Sequence, residues 1–361
     1  MTLVAKERES GWAVGDGMLK SFEVCAGAGG QALGLERAGF SHVLLAEQDG
    51  VACETLLLNR PSWTVWQGDI RTFTAYENPV VYDVDLLSGG IPSTSYSRAG
   101  KQGEVEAPGD LTECVLDIVS EVRPRAVMIE NAAELLTGAK FADVRALVHS
   151  ELGRFGYEVF WRVLDAADFG VSQRRRRSVL VALKPDVARF FQWPVPDAAA
   201  PRSVGDVLYE SMAALGWREA RAWADHATGL APTIVGGSKQ HGGADLGPTR
   251  SKRAWARQWV NGEGVGDCVP GPDWVMRIGD GDDDRKGYPK LTVEQVALLQ
   301  GFPPDWHFAA KKTAHYRLVA QAFPPPVAER VGRSIAAALN RVGPLDDDGS
   351  SPPSNDQPTL F

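Results

Sequence analysis

The first half of this 361-residue chain predicts an α/β fold, a doubly wound parallel sheet covered by helices on both faces. Two observations predict it. Short apolar runs alternate with helical stretches from about residue 19 to 183, the pattern that builds βαβ units. A glycine-rich turn, Ala26-Gly-Ala-Gly-Gly30, joins the first run to the first helical stretch. Glycines there let the backbone turn sharply and approach a ligand at a helix N-terminus.

Taken in order, residues 21–25 form a short strand and 31–38 a helix. Residues 42–46 are the next strand and 50–59 the next helix. Val84-Asp-Leu-Leu87 and Ala126-Val-Met-Ile129 are buried-strand candidates, with helical spacing over 111–122 between them, and Ser178-Val-Leu-Val-Ala-Leu183 closes the series. The character changes near Phe191-Gln-Trp-Pro-Val-Pro196, after which prolines, glycines and tryptophans are frequent and periodicity is weak to about residue 290. This stretch reads as a small, irregular second domain. Helical spacing returns over 292–300 and again over 326–339, where a proline opens the last helix. The expected organisation is therefore an N-terminal extension (1–19), a cofactor-binding domain (20–190), an inserted small domain (191–289) and a return to the first domain (290–342). A tail over 343–361, rich in Pro, Ser and Asp, reads as disordered.

A hydrophobic content of 44% with 23% charged residues is that of a soluble globular protein. No apolar run approaches a membrane span and the first ten residues lack a signal-peptide core, so a cytoplasmic location without membrane partners is expected. The four cysteines, Cys25, Cys53, Cys114 and Cys268, show no metal-ligand spacing, so no metal is expected. A net charge of −8 excludes uniform attraction to a polyanion. Nucleic-acid binding would need a local basic surface, for which Gln173-Arg-Arg-Arg-Arg177 and the segment 239–257 are candidates; either is equally readable as a solvated face.

Three acidic positions sharpen the reading. Glu47 ends the second strand, where a carboxylate can accept hydrogen bonds from ribose hydroxyls. Asp69, in Gln67-Gly-Asp-Ile-Arg71, could bind an adenine amine. Each could instead cap a helix, but with the glycine turn they favour an adenosyl cofactor at the strand carboxyl ends. Glu130, with Asn131, follows the strand 126–129, and a carboxyl projecting there into a cleft is a candidate acid or base. On an extended segment Arg175 and Arg177 would share a face. Trp255 and Trp259 lie four apart, as on one helix face, and read as packing residues.

The loop Asp85-Leu-Leu-Ser-Gly-Gly-Ile-Pro-Ser93-Thr-Ser-Tyr-Ser97 makes a resemblance specific. It resembles the nucleophile loop of the C5-cytosine DNA methyltransferases, which usually reads Gly-Gly-x-Pro-Cys-x-x-Phe-Ser. The other segments match that family in order and spacing over most of 20–183 and 290–342. They include Leu291-Thr-Val-Glu-Gln-Val-Ala-Leu-Leu-Gln-Gly-Phe-Pro303 and Ala322-Phe-Pro-Pro-Pro-Val-Ala328. The resemblance implies a Rossmann-like S-adenosylmethionine-dependent domain and a target-recognition domain over 191–289, with double-stranded DNA in the cleft. It also implies a monomer and a bacterial, nucleoid-associated restriction–modification role. Cys25, Ala26, Gly27, Ala28, Gly29 and Gly30 would line the cofactor, with Glu47 and Gln48 at its ribose, Asp69 and Ile70 at its adenine, and Pro92 and Gln321 nearby. Ser93 holds the nucleophile position. Glu130 would hydrogen-bond cytosine N3, Asn131 would order the loop, and Arg175 and Arg177 would steady the base and adjacent phosphates. Lys239, Arg250, Lys252 and Arg253 would meet DNA.

The implied chemistry is covalent: a thiolate adds to cytosine C6, C5 takes the sulfonium methyl, and the base must first leave the duplex stack. Three departures stand out. Ser93 replaces the cysteine, Leu318-Val-Ala-Gln321 replaces the usual Gln-x-Gly-Asn, and Glu130-Asn-Ala132 replaces Glu-Asn-Val. A catalytically silent DNA-binding homologue, or one using another alkyl donor, is the rival expectation.

Overall fold

The computed structural model describes residues 18–82, 84–91, 111–236, 244–277, 284–309 and 311–341. The chain begins with β1 (Leu19–Val24), α1 (Gly30–Arg37), β2 (Phe40–Glu47), α2 (Gly50–Asn59) and β3 (Val65–Gln67). Asp49 caps α2 by accepting from the amides of Val51 and Ala52, which explains why that helix begins where it does. Then come β4 (Leu86–Gly90), α3 (Leu111–Val122), β5 (Ala126–Ala132), the short α4 (Glu134–Thr137), α5 (Ala142–Arg154), β6 (Glu158–Asp165) and β7 (Arg176–Leu183).

The seven strands form one sheet in the order β3-β2-β1-β4-β5-β7-β6. Side chains alternate between its faces, as the two-residue strand period demands. Leu86, Met128, Val179 and Val181 pack on one face with α1 and the last helix, whereas Leu87, Val127, Leu180 and Ala182 pack on the other with α3 and α5. Because both faces are covered, the strands are apolar on consecutive residues.

The expectation of a wholly parallel sheet is corrected. β7 runs antiparallel to both β5 and β6. Only residues 166–175 join β6 to β7, too few for the crossover that a parallel pair requires. The chain turns from β1 towards β2 and β3 on one side and reaches β4 on the other, so the strand order reverses between β1 and β4. A crevice forms outside the carboxyl ends of adjacent strands at such a point.

After α6 (Pro185–Ala188), the stretch read as irregular carries three helices, α7 (Val204–Ala213), α8 (Ala220–His226) and α9 (Thr249–Ala256), separated by long non-repetitive segments. Its tryptophans Trp217, Trp223 and Trp255 join a core that continues through α10 (Val293–Leu299) and α11 (Lys312–Gln321) to Leu33, Leu45 and Leu56 of the first domain. Trp255 is fully buried, but Trp259 lies beyond α9 with φ 51° and stacks on His226 at 3.5 Å, so the two tryptophans do not share a helix face. Thr292 and Gln295 form a reciprocal capping box at the start of α10. The last helix, α12 (Pro325–Asn340), returns to pack against α1. No described helix is long and apolar enough to cross a membrane.

Candidate active site

A cleft of about 1510 Å³ opens at the carboxyl ends of β1, β2, β4 and β5. Its walls include the glycine turn, Glu47, Asp69, Glu130, residues 174–177, residues 233–236 and the end of α11. The structure thus brings Cys25–Ala28, Gly30, Glu47, Gln48, Asp69, Ile70, Glu130, Arg175, Arg177 and Gln321 to one cavity. Pro92, Ser93 and Lys239 lie outside the described residues. Arg250, Lys252 and Arg253 sit on α9 and do not line the cleft. The Lys252 ammonium is paired with Asp245 at 2.9 Å; the side chains of Arg250 and Arg253 are solvent-exposed.

The glycine turn is shaped by close approach. Gly29 has φ 82° and immediately precedes α1. A Cβ on Gly30 would fall 2.3 Å from the Phe323 carbonyl oxygen, so the turn and the segment after α11 touch backbone to backbone. A Gly30→Ala substitution must push the two apart. The expected results are destabilisation of roughly 1–3 kcal/mol from overpacking and a clear loss of affinity for S-adenosylhomocysteine, read by denaturant titration and calorimetry.

Glu47 accepts from the Gly27 amide at 2.7 Å and from the amides of Gln48 and Asp49, each at 2.8 Å. Its carboxylate is therefore fixed over the turn. Asp69 serves as a cap: it accepts from the Arg71 amide at the head of a short helical turn and pairs with the Arg71 guanidinium, which holds its carboxyl below the usual range.

Beneath the turn lies a cluster that the sequence reading missed. Glu23 is buried in β1, with Ser88 Oγ donating to it at 3.4 Å. The buried Gln31 side chain lies against the Glu23 carboxyl, and both residues line the cleft. Burial pushes the Glu23 carboxyl up from 4.5 to about 8. The folded protein then keeps a proton that the unfolded chain releases, so stability falls as pH rises between those two values. Glu23→Gln removes this slope, and its denaturation midpoint should gain on wild type from pH 5 towards pH 9. Parallel curves across that range would contradict the assignment.

At the opposite wall, Glu130 pairs with Gly90 across β4 and β5. Its carboxylate lies 3.0 Å from Arg177 Nε, but the N–H is not aligned with it, so the contact is an ion pair rather than a hydrogen bond. The Asn131 amide donates to the Ile91 carbonyl at 2.7 Å. It thereby anchors the last described residue before Pro92, and Ser93 is two residues further along the chain.

Arg175 departs from the expectation that it steadies a base or a phosphate. It is 1% exposed, and its guanidinium donates to the carbonyls of Ile234 at 2.8 Å, Ala320 at 2.8 Å and Ala322 at 3.1 Å. Burial and the neighbouring Arg177 push its pKa down, but a guanidinium keeps its charge in proteins. It ties residues 234 and 320–322 together beneath the cleft. Arg177, two residues on, faces the same way and does reach Glu130.

No replacement thiolate is available in the cleft. Burial pushes the Cys25 thiol up to about 12, with the Glu47 carboxylate adding to the shift, which keeps it protonated and inert. Among the described residues, no group of three or more His, Cys, Asp or Glu side chains could hold a metal.

The profile of C-5 cytosine-specific DNA methylases matches residues 19–337. The chain belongs to that family. It is 48% identical over 327 residues to the Type II methyltransferase M.NaeI of Lentzea aerocolonigenes, covering 90% of this chain and 76% of that protein. To M.NgoMIV of Neisseria gonorrhoeae it is 42% identical over 327 residues, covering 89% and 98%. A solved structure of a Spodoptera frugiperda DNMT2 mutant shares the fold, with TM-score 0.61 at 14% identity over 88% of this chain and 99% of that one. The Dnmt2 methyltransferase of S. pombe does so with TM-score 0.54 at 18% identity, over 89% and 97%. The sheet is thus the Rossmann-like one of S-adenosylmethionine-dependent methyltransferases, and S-adenosylmethionine is the methyl donor of the family.

Proposed function

We propose that the chain methylates cytosine C5 within a particular sequence of double-stranded DNA, acting as a monomer on a base turned out of the duplex, and that Ser93 holds its turnover far below that of a cysteine enzyme. The observation that carries this reading is the convergence of Glu47, Asp69, Glu130 and Arg177 on one cleft at the strand-order reversal. The cofactor would supply an electrophilic methyl group. Glu47 is placed to hold its ribose, Asp69 and Ile70 its adenine, and the Gly27–Gly30 turn its remaining length; the open face of Gly27, with nothing within 4 Å of a built Cβ, leaves room for it.

Glu130 would hold a proton at cytosine N3, drawing electrons from C6 so that a nucleophile can add there and leave C5 as an enamine carbon, while Arg177 keeps that carboxyl oriented. Residues 191–289 would read the DNA, with Lys239, Arg250 and Arg253 meeting phosphates. The reading of a DNA-binding homologue without turnover is favoured by one feature, the hydroxyl at position 93. Incubation with methyl-tritiated cofactor and unmethylated genomic DNA, followed by digestion to nucleosides, tests the proposal. Label in 5-methyldeoxycytidine is expected. Retention of DNA with no label, even with cysteine at position 93, would leave only the binding role.

A further inference from the structure

Two glutamines outside the expected site form a continuous chain of hydrogen bonds across the floor of the cleft. The Ile234 amide donates to Gln173 Oε1 at 3.0 Å, Gln173 Nε2 donates to Gln300 Oε1 at 2.6 Å, and Gln300 Nε2 donates to the Ala322 carbonyl at 2.6 Å. Gln173 Nε2 also approaches the Leu299 carbonyl, at 3.4 Å. Both side chains are 0% exposed. Each link fixes the next: turning either amide over would set a donor against a donor or an oxygen against an oxygen, so the chain has a single direction.

The two ends are different walls of the same cleft. Residues 231–236 belong to the 191–289 region, and they are laced to residues 172–174. Ala231 N donates to Ser172 O at 3.0 Å, Arg174 N to Ala231 O at 2.9 Å, and Thr233 Oγ1 to Arg174 O at 2.6 Å. Residues 320–323 close the other wall against the glycine turn at Gly30.

We propose that Gln173 and Gln300 are positioning residues: their relay sets residues 231–236 relative to 320–323, so that filling the cofactor end of the cleft orders this part of the DNA-reading region. The inference rests on the reading that the cofactor lies against residues 26–30. Any tightening transmitted this way is reciprocal, so DNA seated on 231–236 would tighten the cofactor by the same factor.

Amide hydrogen exchange with S-adenosylhomocysteine tests it without requiring turnover. In wild type, the ligand should slow exchange at 26–30 and also at 231–236, the latter by about tenfold. In Gln300→Leu, slowing at 26–30 should remain while slowing at 231–236 is lost. Should that variant not fold, Gln173→Met breaks the relay at its other joint and is read in the same way. Equal ligand protection of 231–236 in wild type and variant would mean direct contact and would overturn the relay. Protection confined to 26–30 in wild type would also overturn it. Absence of protection at 26–30 would instead remove the cofactor reading and the inference with it. A merely structural role would raise exchange at 231–236 with and without ligand and leave the ligand-induced ratio unchanged.

Discussion

A Ser93→Cys variant is expected to transfer methyl groups to DNA on the order of 10³-fold faster than the chain with serine there. The C6 addition that precedes methyl transfer needs a soft, readily ionised nucleophile. A serine hydroxyl is neither, and it becomes reactive only beside a base that takes its proton. Among the described residues, no histidine lines the cleft, and Glu130 is already paired with Arg177. The Cys25 thiol, pushed up to about 12 by burial, cannot stand in. Single-turnover rates at saturating cofactor measure the gain directly. Equal rates for serine and cysteine would place the limiting defect elsewhere, with Leu318-Val-Ala-Gln321 at the cofactor end of the cleft the first place to look.

Arg175→Ala should be the most damaging substitution to stability, by about 3–5 kcal/mol. Its buried guanidinium satisfies three carbonyls, and alanine would take away all three donors and leave a cavity. Arg175→Lys should recover only part of the loss, because an ammonium cannot reproduce the planar fork that meets three oxygens from two segments. Arg177→Ala, at a half-buried site with one partner, should unfold close to wild type and instead lose turnover. Denaturant midpoints separate the two: an Arg175→Ala protein as stable as Arg177→Ala would show that the three carbonyls find other partners.

Much of the sheet was legible because its strands are short apolar runs punctuated by turns. The helices Gly50–Asn59 and Leu111–Val122 fall where their spacing places them. The strand Glu158–Asp165 escaped notice although Val159, Phe160, Trp161 and Val163 are strand-forming residues. Its mixture of apolar and charged residues hid it, since it is an edge strand with only partly covered side chains. The cleft was legible near the strand ends, because Glu47, Asp69 and Glu130 all line it. What stayed hidden depends on contacts distant in sequence. Gln173 stands next to four arginines that drew all the weight, and Gln300, 127 residues later, becomes its partner only in the fold. The difference between Arg175 and Arg177 is likewise invisible in a run of identical residues, because it is set by which carbonyls lie beneath each one.

The reversal of β7 decides which residues can take part at all. Strand openings in a parallel sheet face the edge away from the reactive end, roughly 25 Å off for eight residues. Inverting one strand delivers its opening residues beside the ends of its neighbours, and so Arg177 pairs in register with Ala132. The arrangement is also a parity device. A one-residue slip of β7 against β5 would present Arg176 where Arg177 now stands and turn Arg177 to the other face.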